Sequence, residues 1–168
     1  MFLPLFVYLS LELIAVSMAD FKTKIISNYW SISHILFFLL VVVISPEKYP
    51  VNVNTFLYPV GFIVVGFALY LLKIMGGGDS KFLATFYLLI PPKYHDGFTE
   101  LLLASTVLVG FFLLTMNLQR NWRNIFYDLK QSRGLVIKQY IGSKFSFAPV
   151  ILLAWVVFGV NKWKVIHL

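Results

Sequence analysis

Residues 75–84 of this chain read MGGGDSKFLA. Three glycines, an aspartate and a lysine interrupt two apolar segments there, and the purpose of that polar break governs how the rest is read. Around it the composition is extreme: of 168 residues, 60% are hydrophobic and 18% aromatic, while only 12% are charged. Mean hydropathy is +0.83. Apolar runs approaching the roughly 20 residues that cross a hydrocarbon core of about 30 Å indicate a helical membrane protein rather than a soluble domain.

Six spans are expected, at residues 2–19, 30–45, 55–74, 80–91, 98–116 and 145–160, forming one unit over 1–168. The fold class predicted is all-α, a polytopic membrane bundle of about six transmembrane helices with a cytoplasmic interfacial amphipathic helix. The first run imitates a signal peptide but has no basic start and contains Glu12, so it reads as a membrane helix. The fourth run covers only about 18 Å, which calls for thinned bilayer or shielding by neighbours. Between the fifth and sixth runs, Leu118, Trp122, Ile125, Phe126 and Leu129 gather on one helical face. That pattern predicts a helix lying in the headgroup region, with the 117–144 segment against anionic lipid.

A net charge of +7 would suggest nucleic acid in a soluble protein. Here it resolves into topology: ten of the fourteen basic residues fall on the side holding residues 20–29, 75–79 and 117–144, with Lys73 and Lys81 at their edges. The positive-inside rule makes that side cytoplasmic and puts both termini outside. No nucleic-acid partner is expected. The absence of cysteine removes disulfides, thiolate metal sites and a cysteine nucleophile. His34, His95 and His167 show no ligand spacing, so neither a metal nor a cofactor is expected.

Seven acids remain: Glu12, Asp20, Glu47, Asp79, Asp96, Glu100 and Asp128. Asp20 follows the first span and Asp79 follows the third, so both emerge at one membrane face. Singly, each could be a helix flank, and Asp79 before a helix starting at Ser80 would serve as an N-cap. Gly76, Gly77 and Gly78 change the balance, because glycine allows positive φ and close approach of backbone to a neighbouring helix or an extended substrate. Two carboxylates in one site hold a single proton between them. The anionic member can deprotonate water while the protonated one donates to a scissile carbonyl.

These residues resemble the type IV prepilin peptidases, GxGD intramembrane aspartyl proteases. GGGDSKFLA matches the glycine, any residue, glycine, aspartate motif through Gly76 or Gly77, Gly78 and Asp79. The first motif of the small branch serving Tad or Flp pili runs roughly D-x-R-x-R-x-I-P-N. It appears here as DFKTKIISN, with Asp20, Ile26 and Asn28 matched, Lys22 and Lys24 in place of arginines, and Ser27 in place of the proline. The resemblance implies an Asp20/Asp79 dyad that removes the basic leader of a prepilin or pseudopilin substrate at the cytoplasmic face of the inner membrane. Longer relatives also methylate their product and carry a cysteine-bearing insertion. This sequence has no cysteines and no room for that insertion between its first two spans, so peptidase activity without methylation by that route is expected.

Two supporting arrangements are open. Glu12 and Lys73 lie at similar depths and could form an intramembrane ion pair, or Lys73 could snorkel beside a protonated Glu12. Lys81 could orient Asp79 or simply flank the span. From other classes, a small ion- or proton-coupled transporter using Asp20, Asp79 and Glu12 competes, as does a non-enzymatic assembly subunit. A P-loop is excluded by the glycine and lysine spacing of GGGDSK.

Overall fold

The computed structural model describes residues 3–71, 75–130 and 146–166, with side chains described up to residue 122 and, in the last stretch, up to 162. Six α-helices follow one another, and there is no strand among the described residues: α1 (Leu3–Thr23), α2 (Asn28–Ile44), α3 (Val53–Leu71), α4 (Gly77–Leu88), α5 (His95–Lys130) and α6 (Ala148–Ile166). A 3-10 turn, Pro92–Tyr94, joins α4 to α5. The expected helical membrane bundle is the observed one. Three helical stretches, Leu3–Thr23, Val53–Leu71 and Pro92–Trp122, are long and apolar enough to cross a membrane, and Asn28–Ile44 and Ala148–Lys162 are shorter apolar helices.

Two boundaries differ from the sequence expectation. Asp20 was placed just beyond the first span, yet α1 continues through Thr23, so Asp20 belongs to its last turn. The 117–130 stretch is not a separate helix but the continuation of α5, whose 36 residues reach about 54 Å. No glycine or proline lies between Met116 and Lys130 to break the backbone ladder, so the helix runs on. The remainder of the 117–144 segment, from 131, lies outside the described residues, as does Lys73.

The short α4 occupies the centre. Phe82, Leu83, Ala84, Phe86 and Tyr87 are all buried on it, so neighbouring helices rather than lipid cover its apolar side chains. It packs on α3 and α2 along its length, while α1 pairs with α6 and α6 with α5. Rings close the gap between these groups: Phe86 of α4 lies 5.8 Å from Phe98 of α5 and 5.1 Å from Trp155 of α6, centroid to centroid. Phe6 of α1 stacks on Trp155 at 4.9 Å, and the Trp155 indole donates to Ser10 at 2.9 Å. Aromatic packing of this kind adds modestly to the dispersion that holds membrane helices together, where lipid removes most of the hydrophobic drive.

α3 and α4 approach closely because Gly66 faces Ser80. A Cβ built at Gly66 would stand 2.4 Å from the Ser80 Cβ, whereas one at Gly61 on the same helix meets nothing within 4 Å. Gly66→Ala is therefore expected to destabilise the protein by about 1–3 kcal/mol despite the gain in helix propensity. Gly61→Ala should be neutral or stabilising by up to about 1 kcal/mol. Unfolding curves in detergent distinguish the two, and a Gly66→Ala variant as stable as Gly61→Ala would disprove the close contact.

Candidate active site

The buried stripe of α1 contains Leu5, Leu9, Glu12, Leu13, Val16, Ser17 and Asp20, so the same face that packs the bundle carries Asp20 inward at its C-terminal end. Asp20 is only 2% exposed. Lys24 terminates the helix in the left-handed region at φ 56°, with its N–H bonded to the Asp20 carbonyl at 2.8 Å. Glycine or asparagine usually holds such a position, since a side chain there is strained. The Lys24 ammonium uses the resulting direction to donate to the Ser146 hydroxyl at 2.7 Å. Ser146 in turn donates to the Asp20 carbonyl at 3.2 Å, and the Ala148 N–H donates to Asp20 Oδ2 at 3.2 Å. Asp20 thus faces the N-terminus of α6, where free N–H groups and the positive end of the helix dipole favour an anion.

Asp79 enters from the other side of the break. The helix starts at Gly77 with Gly76 as N-cap, so Asp79 occupies the third helical position instead of the cap expected before Ser80. Its Oδ2 reaches back to accept the Gly76 N–H at 3.0 Å. Asp79 is 8% exposed, and burial pushes its carboxyl up to about 6 against the opposing pull of the Gly76 N–H, with the charge of Asp20 adding to the rise. The two residues, 59 apart in sequence, meet where the C-terminal end of α1 and the N-terminal start of α4 lie together, close enough for the charge of Asp20 to act on Asp79.

The glycines divide their tasks differently from the expectation of positive φ, which no described glycine adopts. Gly76 is extended at φ −75°, ψ 145°. A Cβ at Gly78 would stand 2.6 Å from the carbonyl oxygen of Ile26, in the turn between α1 and α2. Close approach is the property used there: α4 is seated directly on that turn, beside the end of α1 that carries Asp20. At Gly77 a Cβ would meet only the Tyr70 ring at 3.7 Å, an ordinary contact. Of the three, Gly78 is held glycine by that close approach, whereas position 77 has room for a side chain.

The other candidates are dispersed. Lys22, Asn28 and Lys81 are exposed, and among the described residues none of them forms an ion pair. Ser27, where the resembled motif has proline, is the N-cap of α2 and accepts the Tyr29 N–H. Glu12 is buried against His34, with Oε1 2.9 Å from Nε2, while Lys73 lies outside the described residues. Ser146, His34 and the Ala148 N–H were not singled out from sequence, and Lys24 only as a stand-in for a motif arginine. For His34 a signal existed, since it is polar on the buried stripe Ser31, His34, Phe38 and Val41 of an apolar helix. Ser146 and Ala148 lie over 120 residues from Asp20, and no local pattern joins them. Among the described residues no group of three or more histidine or acidic side chains could hold a metal ion.

The fold is that of a polytopic helical membrane bundle, with two buried carboxyls where α1 ends and α4 begins. The profile of the type IV leader peptidase family matches residues 7–116, well over half the chain, and the chain belongs to that family. It is a membrane peptidase. No curated protein and no solved structure gave a match. The matched stretch includes Asp20, Glu12, His34 and the Gly76–Asp79 break but ends before Ser146 and α6.

Gly78→Ala should unseat α4 from Ile26 and lower peptidase activity per folded molecule by about tenfold or more, while Gly77→Ala stays within about twofold of the parent. Equal activities for the two would refute the assignment. The raised Asp79 pKa also carries a sign: its neutral form is favoured in the fold, so its contribution to stability is full below about 4 and is lost as pH rises through about 6. Melting temperature should fall by on the order of 5 °C across that window and stay flatter in Asp79→Asn. Matching pH profiles in parent and variant would show that Asp79 is not the group responsible.

Proposed function

We propose that the protein is an aspartyl endopeptidase that removes the basic leader of a prepilin-like substrate at the cytoplasmic membrane face. The observation that carries this reading is the pair of buried carboxyls, of which Asp79 is pushed toward its neutral form by burial beside the charge of Asp20. Asp20, whose Oδ2 accepts the Ala148 N–H at the α6 N-terminus, is the anionic member. Asp20 takes a proton from water as its oxygen adds to the scissile carbonyl carbon, and Asp79 gives its proton to the carbonyl oxygen. Collapse of the diol breaks the C–N bond, with the Asp20 proton passing to the leaving amine and a hydroxyl proton returning to Asp79. Neither carboxyl is changed at the end of the cycle.

An extended chain would reach the carboxyls past the exposed backbone of Gly76, which has no side chain to block the approach. The excess of lysine and arginine beside Asp20 and Asp79 supports a cytoplasmic site with both termini outside, and supports anionic lipid as the neighbour of the 117–144 segment. We further propose that 1–168 acts as one peptidase unit without a cofactor.

Co-expression with a candidate prepilin tests the reading. Leader removal should fall by about a thousandfold or more in Asp20→Asn and in Asp79→Asn. For the parent, rates should decline as pH rises beyond the Asp79 pKa, because the general acid loses its proton. Continued cleavage by either asparagine variant would end the dyad mechanism.

A further inference from the structure

Glu12 and His34 are charged or chargeable groups that the chemistry above does not use. Both are buried in the bundle, at 5% and 0% exposure. Glu12 lies eight residues before Asp20 on the same buried stripe of α1, about 12 Å from it along the helix. His34 lies on α2 and turns its two ring nitrogens in opposite directions. Nε2 is 2.9 Å from Glu12 Oε1, and the Tyr8 hydroxyl also lies beside the Glu12 carboxyl. Nδ1 is 3.1 Å from the Thr85 hydroxyl, on α4 and six residues past Asp79.

The proton positions follow from Thr85. Its hydroxyl lies 2.9 Å from the Lys81 carbonyl and 3.0 Å from that of Phe82, so its hydrogen is directed to its own helix. Thr85 can then only accept from His34, which fixes the imidazole hydrogen on Nδ1. Nε2 and Glu12 Oε1 are left to share one proton, as acid and neutral ring or as carboxylate and imidazolium. Either way the pair is neutral overall, which is what an apolar interior demands of it. Tyr8, one turn before Glu12, adds a second tie from α1 to α2 through its hydroxyl, 3.1 Å from that of Ser33.

We propose that Glu12 and His34 are positioning residues of the peptidase: the chain Glu12–His34–Thr85 joins α1, α2 and α4 one polar layer deeper than the two aspartates and sets how Asp20 meets Asp79. This rests on the dyad reading for its effect on catalysis. The joint itself does not. The two helices it bridges are the two that bear the aspartates, and α1 makes its closest contacts with α6 rather than α4, so the link through His34 supplies a register that apolar packing between them does not.

The cysteine-free chain allows a direct test. Nitroxides attached at Met18→Cys and Lys81→Cys, both exposed, report the distance between the end of α1 and the start of α4. Glu12→Leu or His34→Leu should broaden or shift that distance and lower kcat for leader removal by about tenfold or more at unchanged KM. The double variant should be no worse than either single one. Glu12→Gln should stay within about threefold of the parent, since its amide N–H can donate to Nε2. Should the leucine variants fail to fold, Thr85→Val cuts only the link to α4 and is expected to move the same two readouts. A parent-like distance and kcat in folded variants overturns the proposal. If Asp20→Asn and Asp79→Asn still cleave, the dyad reading falls, and the nitroxide distance alone decides whether the joint exists.

Discussion

Twelve residues of helix supply about 18 Å, against a hydrocarbon core of about 30 Å, and the arrangement of the bundle answers that shortfall in α4. A helix that short cannot present both ends to water from a lipid-facing position, so it is enclosed. α2 and α3 lie along it, and the rings of Phe98 and Trp155 close over Phe86. Enclosure needs two contacts without side chains in the way, Gly66 against Ser80 and Gly78 against the Ile26 carbonyl. The second of these pulls the polar start of α4 onto the turn that follows α1. Asp79 is buried beside Asp20 as a consequence of how a short helix is housed.

Burial then determines the electrostatics. At Asp79 two effects oppose each other: the Gly76 N–H stabilises the anion, while loss of water stabilises the neutral acid, and the second is larger. At Asp20 the surroundings are of the other kind, with the Ala148 N–H at the α6 N-terminus donating to Oδ2. Chemically identical side chains therefore face unlike environments. Under the proposed function, that asymmetry is what would divide the roles of acid and base between them.

Much of this was visible in residue order. Long apolar runs gave the helices, and the charged exceptions marked Asp20 and Asp79, because ionisable groups near a span are too costly to be casual. Helix ends were less legible: α1 runs past Asp20 and α5 past Met116, since nothing in DFKT or in NLQRNWRN stops a helix. The glycine triplet was readable as a close approach but not as to which glycine makes it, because the Ile26 carbonyl that distinguishes Gly78 from Gly77 comes from a turn some 50 residues earlier. For Glu12, depth along the spans pointed to Lys73, which lies outside the described residues. The contact with His34 depends on which way the side chains of α1 and α2 face, and the buried polar position of His34 on an apolar helix was its one sequence signal.

Register is where these parts join. Leu5, Leu9, Leu13 and Val16 bury α1, but apolar contact is nearly indifferent to a small slide or rotation of one helix on another. A rotation by a single residue turns a helix by about 100° and would carry Asp20 off the buried stripe. Groups with directional partners resist such a move. Glu12 at His34 and Asp20 at the Ala148 N–H stand two turns apart on one face of α1, and any slide that relieved one would leave a buried polar atom unpaired at the other. Their cost to stability is thus also what makes one placement of the carboxyl preferable to its neighbours.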